Sequence, residues 1–257
     1  QSGLLRPAIG DHEILGDSIY LPYFFVISDD KDITLKPRLF NDNKLLLQTE
    51  YRQETKNSLT VIDSSITTGH YSDKNNKTDK DTRSHFFSET KINLDFKDFI
   101  SSTLDINYQK ISNDTYLKVF DFIEGSLFEK NSIGNLTSKI ELDLAHEDYD
   151  FGSSLIMYES LGGKNSDRYA YVLPDYSIST NFFLSNFEGS FSATSAGSYS
   201  IANTNISSTS IGNSLSYSSL EFYTDSGIVS DYNISFTNSN TMSDNSLKYK
   251  NTPQSEF

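Results

Sequence analysis

Along most of this chain apolar and polar residues alternate with a period of two, and few folds accommodate that pattern. Leu45, Leu47, Thr49 and Tyr51 alternate with Leu46, Gln48, Glu50 and Arg52. Ile92, Leu94 and Phe96 are separated by Asn93 and Asp95, and Leu104, Ile106 and Tyr108 by Asp105 and Asn107. Ile140, Leu142 and Leu144 alternate with Lys139, Glu141 and Asp143. The rhythm returns at Phe187–Ala193, Ile211–Tyr217 and Tyr232–Phe236. Successive residues on a strand point to opposite faces, so each segment has one apolar and one polar face. Apolar residues rarely recur at the three- and four-residue spacing of a helix. The sequence predicts an all-β protein.

The most apolar window is Ile19–Ile27 (IYLPYFFVI), with Pro22 inside it. It is flanked by an apolar run holding Pro7 and, after the acidic turn Asp29-Asp30-Lys31-Asp32, by Ile33–Phe40 with Pro37. Proline cannot donate to a strand ladder and is normally kept to edges, strand ends or bulges. Three successive strand-like segments that each hold one are unusual. Pro37 is expected to kink the third strand. At nine residues, Ile19–Ile27 is far short of the ~20 that a spanning helix needs. A membrane β-strand needs only about 10 and buries one face.

Connections carry a second rhythm. Short links are expected near Asp29–Lys31, Gln53–Asn57, Lys97–Asp98, Glu147–Asp150 and Thr224–Ser226. Longer polar stretches lie at Ser72–Arg83, Ser112–Ile133, Gly162–Arg168 and Ser198–Ser208. In an antiparallel meander such alternation gathers the long loops at one end, as in outer-membrane barrels, and implies about 13 strands. A soluble β-sandwich or a secreted β-rich protein would alternate as well. No fixed-period repeat marks a solenoid.

The net charge of −14 argues against nucleic acid and against docking on an anionic membrane surface. With no Cys, thiol catalysis, disulfides and Cys-based zinc sites are excluded. The chain opens at Gln1 without Met or a charged-then-apolar leader, as a processed or excised piece would.

Four stretches near the start resemble the LptD family, the lipopolysaccharide-assembly proteins of the Gram-negative outer membrane. They are Ser2-Gly3-Leu4-Leu5-Arg6-Pro7, Leu21-Pro22-Tyr23-Phe24, Asp32-Ile33-Thr34-Leu35-Lys36-Pro37-Arg38 and Thr49-Glu50-Tyr51-Arg52. Ser112-Asn113-Asp114-Thr115-Tyr116-Leu117 resembles a further family segment. The match is specific over Gly3–Arg52, moderate to about Ile178 and only pattern-deep beyond.

This resemblance implies an antiparallel transmembrane β-barrel of the outer-membrane type, here about half of a barrel of roughly 26 strands. The chain would be the N-terminal part of the barrel domain, without the periplasmic jellyroll and the closing strands. The implied activity is insertion of lipopolysaccharide into the outer leaflet through the lumen and a lateral gate. Pro7 on the first strand and Pro22 on the second match the prolines to which the family's gate is attributed, flanked by Leu5, Tyr20, Leu21 and Tyr23. Gln48, Glu50, Arg52, Lys139, Glu141 and Asp143 would line the lumen. An LptE-like plug lipoprotein and a periplasmic LptA-like bridge are the implied partners, with no cofactor.

Other chemistry is not signalled. His12, His70, His85 and His146 are scattered without metal-ligand spacing, and no Gly-x-Ser-x-Gly elbow or phosphate-cradling loop is present. His146-Glu147-Asp148-Tyr149-Asp150 is expected to be an acidic turn between two strands rather than a cation site. His85, before Phe86-Phe87, is placed in an interfacial aromatic girdle. No enzyme is expected. The rival readings are an adhesin-like β-sandwich and a barrel enzyme, the latter lacking an identifiable nucleophile.

Overall fold

The computed structural model describes residues 1–11, 15–41, 44–74, 77–120, 134–162, 168–202, 206–245 and 254–256, with the backbone alone for 69–74, 77–81 and 254–256. The expected His12 therefore lies outside the described residues, as do 121–133 of the long stretch after Ser112. Two compact units form. The first holds Gln1–Ile92, Asp105–Ser138 and Glu159–Gly162; the second holds Asn93–Leu104, Lys139–Tyr158 and Gly163–Phe257.

In the first unit the strands are β1 (Gly3–Leu4), β2 (Ala8–Gly10), β3 (Ser18–Tyr20), β4 (Tyr23–Ser28), β5 (Lys31–Phe40), β6 (Leu45–Glu54), β7 (Ser58–Lys74) and β8 (Lys77–Asn93). Parts of β9 (Ser101–Ile111) and β10 (Asn135–Ala145) and the single turn α1 (Tyr116–Val119) complete it. From β4 onward the strands of this unit pair antiparallel in chain order: β4 on β5, β5 on β6, β6 on β7 and β7 on β8. One face of β5–β8 carries Thr34, Lys36, Gln48, Glu50, Asp63, Ser65 and His85, all buried. The other carries Leu39, Leu45, Ile66 and Phe86, each more than two-fifths exposed. The covered face is mixed, since Phe40, Leu46, Val61 and Phe87 are buried on it beside these polar residues, and the open face is apolar, which a soluble sheet would not show.

The second unit contains β11 (Tyr149–Ser160) up to Tyr158, β12 (Tyr169–Phe182), β13 (Gly189–Ala202), β14 (Ile206–Ser219), β17 (Asn233–Asp244) and the short β18 (Gln254–Glu256). Register between β12 and β14 is near continuous, interrupted only between Val172 and Asp175, where Pro174 cannot donate to the ladder. One face is apolar: Ile178, Phe191, Ala193, Ile211, Leu215, Ile234, Phe236 and Met242. The other is almost wholly hydroxyl, with Ser192 bonded to Ser216 at 2.6 Å and Ser198 to Ser210 at 3.1 Å. Ile211, Leu215, Ile234, Phe236 and Met242 are again exposed. At one end of these strands an aromatic chain runs Phe182–Phe191–Tyr217–Tyr232–Phe222, with neighbouring ring centroids 4.8–5.8 Å apart.

The all-β antiparallel architecture expected from the alternation is what forms, and among the described strand pairings none closes a ring. The 18 described strands exceed the 13 or so expected, because the first two are each broken in two and short pieces are added. Two of the long polar stretches are not loops. Ser72–Arg83 continues β7 to Lys74 and resumes in β8 at Lys77, and Ser198–Ser208 lies mostly within β13 and β14. Strand pairing uses backbone groups, so a stretch polar on both faces can pair without any period-two signal. Conversely, Thr224–Ser226 is not a short link between long strands. It is the tip of a small hairpin, β15 (Phe222–Tyr223) and β16 (Val229–Ser230). Leu94 and Phe96, read as strand, lie in the turn after β8.

Candidate functional site

The first hairpin is split at its prolines. β1 pairs with β4 (Gly3 opposite Phe24, Leu4 opposite Tyr23), and β2 pairs with β3 (Ala8 opposite Tyr20). Between these pairings three residues, Leu5, Arg6 and Pro7, oppose only Leu21 and Pro22. That unequal count is a bulge. Pro7 and Pro22 thus lie in the gap between strand pieces and not within strands as expected. One described backbone bond crosses there, Leu5 N to Pro22 O at 2.9 Å. N–H and C=O of one strand residue point to the same side. Pro22 therefore lacks a donor on the side that faces the first strand.

Pro37 lies across from Leu21 at the same level. Leu21 donates to Pro37 O at 3.1 Å, and Pro37 has nothing to return. No bulge forms at Pro37: β5 stays in register with β6 from Lys31 opposite Gln53 to Leu39 opposite Leu45. A strand can keep its register through a proline when only one ladder bond is lost. Of the flanking residues, Leu5, Leu21 and Tyr23 are exposed, with Tyr23 4.3 Å from Phe25 between ring centroids. Tyr20 projects from the face opposite Leu21 and Tyr23, under the Arg38 guanidinium at 4.9 Å.

The polar face of β5–β8 is rich in side-chain bonds. Lys36 Nζ donates to Glu50 Oε2 at 2.6 Å, with both side chains about 10% exposed. Arg52 Nε donates to Asp32 Oδ1 at 2.9 Å. Asp63, fully buried, accepts from Gln48 Nε2 at 3.2 Å on both oxygens and lies 3.1 Å from His85 Nε2. His85 Nδ1 is 2.6 Å from Ser65 Oγ, which also bonds the hydroxyl of Tyr116 on α1. Gln48, Glu50 and Arg52 thus share one face, as expected. Lys139, Glu141 and Asp143 lie on β10 in the second unit, with Lys139 Nζ 2.5 Å from Glu141 Oε1.

His85 is not in an aromatic girdle. It points to the covered polar face, and its neighbour Phe86 takes the open one. A shift of one residue in the alternation reverses the face, and the sequence around Ser84–Phe87 does not settle which phase applies. Asp63, Ser65 and Tyr116 were not singled out from sequence. The i, i+2 spacing of Asp63 and Ser65 was a signal available for the first two; nothing marked Tyr116 as their partner.

Ser65, His85 and Asp63 form an acid–imidazole–hydroxyl relay. Such a set can fix a proton and satisfy buried charge. A nucleophile would also need free amides to receive an oxyanion, and Ser65 sits mid-strand, in ladder register with Gln48 on one side and His85 on the other. Burial pushes the Tyr116 hydroxyl up to about 12, with the nearby Asp63 charge adding to it and the Ser65 bond opposing. His146 stacks on Tyr149 at 4.8 Å in the turn between β10 and β11, where His146 N donates to Tyr149 O at 2.8 Å. Among the described residues no group of three His, Asp or Glu could hold a metal ion.

The fold and site together define an all-β antiparallel protein whose polar face in the first unit is its covered one. No family model matches the chain. Over 168 residues it is 24% identical to the LPS-assembly protein LptD of Legionella pneumophila strain Paris, covering 63% of this chain and 20% of that protein. LptD of Ralstonia nicotianae is 30% identical over 118 residues, 45% of this chain and 13% of that protein. LptD of Pseudomonas fluorescens Pf-5 is 28% identical over 120 residues, 46% of this chain and 12% of that protein. The chain is a distant relative of the LptD family. The matches span a fifth or less of the length of these curated relatives.

Proposed function

We propose that this chain is part of an outer-membrane β-barrel that assembles lipopolysaccharide into the outer leaflet. The observation that carries the reading is the inverted burial: Asp63 and Ser65 are 0% and 6% exposed while their strand neighbour Ile66 is 49% exposed. A sheet in water would expose the former and bury the latter. A barrel in hydrocarbon does the opposite, with apolar side chains outward and polar ones toward the lumen. The aromatic chain at one end of β12–β17 fits an interfacial girdle. An adhesin-like sandwich would need a second sheet over Ile66, Phe86, Leu215 and Phe236.

In this reading the sugar part passes along the polar face, and the acyl chains leave sideways through the seam between the first and last strands. Each backbone group left unpaired in hydrocarbon costs several kcal/mol. The missing donor at Pro22 and the bulge at Pro7 weaken the pairing of the first strand with the second, so the first strand bends away from the neighbouring seam with fewer bonds to lose. Leu21 and Tyr23 flank the opening on the apolar side, and Leu5, opposite Pro22, and Tyr20 on the other side. Gln48, Glu50 and Arg52 are the passage-lining residues of the first unit, and Lys139, Glu141 and Asp143 are the corresponding polar residues of β10 in the second. The protein works by passage and not by catalysis, with an LptE-like plug and an LptA-like bridge as partners.

The test is circular dichroism of the purified chain with and without detergent. A β spectrum that forms only with detergent, with aggregation in buffer, supports the barrel. A dispersed β protein that melts cooperatively in plain buffer overturns it.

A further inference from the structure

We propose that the open face of β12, β13, β14 and β17 carries a docking surface for a second copy of this chain, centred on Asn213, Asn238 and Asn240 and buried in the bilayer. That the face lies in hydrocarbon rests on the barrel reading above; the place of the amides within it rests on strand register alone.

Alternate residues of a strand share a face, and so do residues directly opposite on paired strands. On the open face one end is aromatic, with Phe182, Phe191 and Tyr217 side by side. Tyr199 and Tyr171, which lies opposite Ile201, mark the other end. From Phe191 to Tyr199 is about 26 Å of strand, which a tilt of about 40° reduces to roughly 20 Å of depth, close to the apolar band of a membrane barrel. Ser195 stands midway, four residues from each ring. Its row runs on through Asn213 on β14 and Asn238 on β17. Asn240, next along the same face of β17, donates from Nδ2 to Asn238 Oδ1 at 2.5 Å. Three amides and a hydroxyl therefore form one patch at mid-depth, with Leu215 and Phe236 exposed to one side of it and Ile211 and Met242 to the other.

A polar side chain at that depth costs free energy unless it is bonded. Asn238 and Asn240 bond each other, but Asn213 is exposed and no described side-chain bond engages it. Its amide brings two donors and an acceptor oxygen, and an acyl chain has nothing to offer them. A second copy does. Copies inserted in the same direction are related by a two-fold axis along the membrane normal, so each residue meets partner residues of its own depth. An amide both donates and accepts, so Asn213 beside the axis pairs with its own copy. An unrelated span would need a polar group placed at this one depth. The same axis lays the β17 side of one copy over the β13 side of the other. Phe236 protrudes on the first side, and on the second a cavity of about 420 Å³ lies over Ala193 and Ser195, walled by Ile178 and Leu215. The surface thus complements itself in shape and in hydrogen bonding, as an isologous interface requires. In lipid, where apolar contact brings no hydrophobic drive, such polar groups hold spans together.

The chain has no Cys, so a single introduced thiol reports cleanly. The intact protein with Asp225→Cys, in the exposed tip of the β15–β16 hairpin, is labelled with donor and acceptor dyes and placed in liposomes over a range of protein-to-lipid ratios. Energy transfer is expected to rise to a plateau above the level of randomly spread protein. Asn213→Leu, which suits hydrocarbon better than the amide, is expected to move the midpoint to a density at least about 5-fold higher, as loss of an amide pair in lipid does. Asn213→Ala makes the same comparison without the larger side chain. Thr237→Val, on the hydroxyl face of β17, should leave the midpoint unchanged. On oxidation, Leu215→Cys should give a disulfide-linked dimer, and Ile66→Cys, on the open face of the first unit, should not. Transfer at the random level at every density, or a midpoint that neither Asn213 variant moves, overturns the amide-paired dimer. Linking at Ile66 as readily as at Leu215 also overturns it, since chance collision then suffices. Trypsin protection on the same liposomes separates the two readings. A protected protein that stays monomeric sinks the dimer and leaves the barrel, whereas an unprotected one sinks both.

Discussion

Leu21 donates its amide to the carbonyl of Pro37 at 3.1 Å, and Pro37 has no N–H to give back. The bond that would complete this pair is missing on the seam between the second and third strand segments. One position along, Pro22 is missing a donor on the seam with the first. The two lost bonds are therefore adjacent and lie on successive seams.

Restoring the donor at Pro37 separates local from global effects. In Pro37→Ala the new N–H can bond Leu21 O and contributes about 0.5–1.5 kcal/mol. Loss of proline's restriction on the unfolded chain removes about 0.4–1 kcal/mol. Overall stability should change by less than about 1 kcal/mol, while exchange of the Leu21 amide slows several-fold. Hydrogen exchange followed by mass spectrometry checks this, and an unchanged Leu21 amide would show that the seam is not limited by the missing bond.

The relay predicts an asymmetry between its members. His85→Ala removes one donor from the fully buried Asp63, and a buried charged group that loses a donor costs about 1–3 kcal/mol or more. Ser65→Ala removes a neutral hydroxyl and leaves Asp63 satisfied, so it should cost less. Guanidinium unfolding of the detergent-folded protein gives both values, and equal losses would contradict the relay geometry.

Tyr116 predicts a fall in stability at high pH. Its hydroxyl titrates at about 12 in the folded protein against 10.0 in the unfolded chain, so the folded state holds the proton more tightly. The contribution is fully present below pH 10 and is lost as the pH rises through 12. Its size is on the order of 2–3 kcal/mol. Tyr116→Phe should flatten the stability profile in that window, as unfolding midpoints between pH 9 and pH 12 would report.

The open apolar face predicts where charge is harmful. If Ile66 faces lipid, Ile66→Lys should impair insertion by up to about 2–4 kcal/mol, the cost of a cation at the bilayer midplane. Adjacent Ser64→Lys, on the same face and flanking it along β7, should act in the same direction. Folding into lipid vesicles, scored by protection from trypsin, gives the comparison. Equal folding of the lysine variants and the parent chain would argue for a water-facing surface.

Much of this was legible in the chain. The alternation at Leu45–Arg52 put Gln48 and Glu50 on one face and Leu47 and Thr49 on the other, and the strand does so, because side-chain direction on a strand depends only on residue parity. The segments holding Pro7 and Pro22 read as the first two strands, and pieces of them do pair with each other, but both prolines lie in the gaps between those pieces. Parity cannot say which face is covered, and it cannot choose a phase where both neighbours are ambiguous; His85 was misplaced for that reason. Nor does side-chain pattern mark where pairing stops: the SDKNNKTDKDTR stretch gave no alternation, yet its backbone completes β7 and β8.

Sequence by itself determined the strand class, the faces of most strands and the relationship to LptD, because these depend on residue order and local geometry alone. Only the tertiary structure decided that the polar face is the covered one and that Leu5–Pro7 opposes Leu21–Pro22 in a bulge. It also decided that Tyr116, 51 residues after Ser65, closes the relay with His85 and Asp63. These depend on which strands meet and in what register, and the ladder sets that through backbone bonds blind to the side chains they bring together.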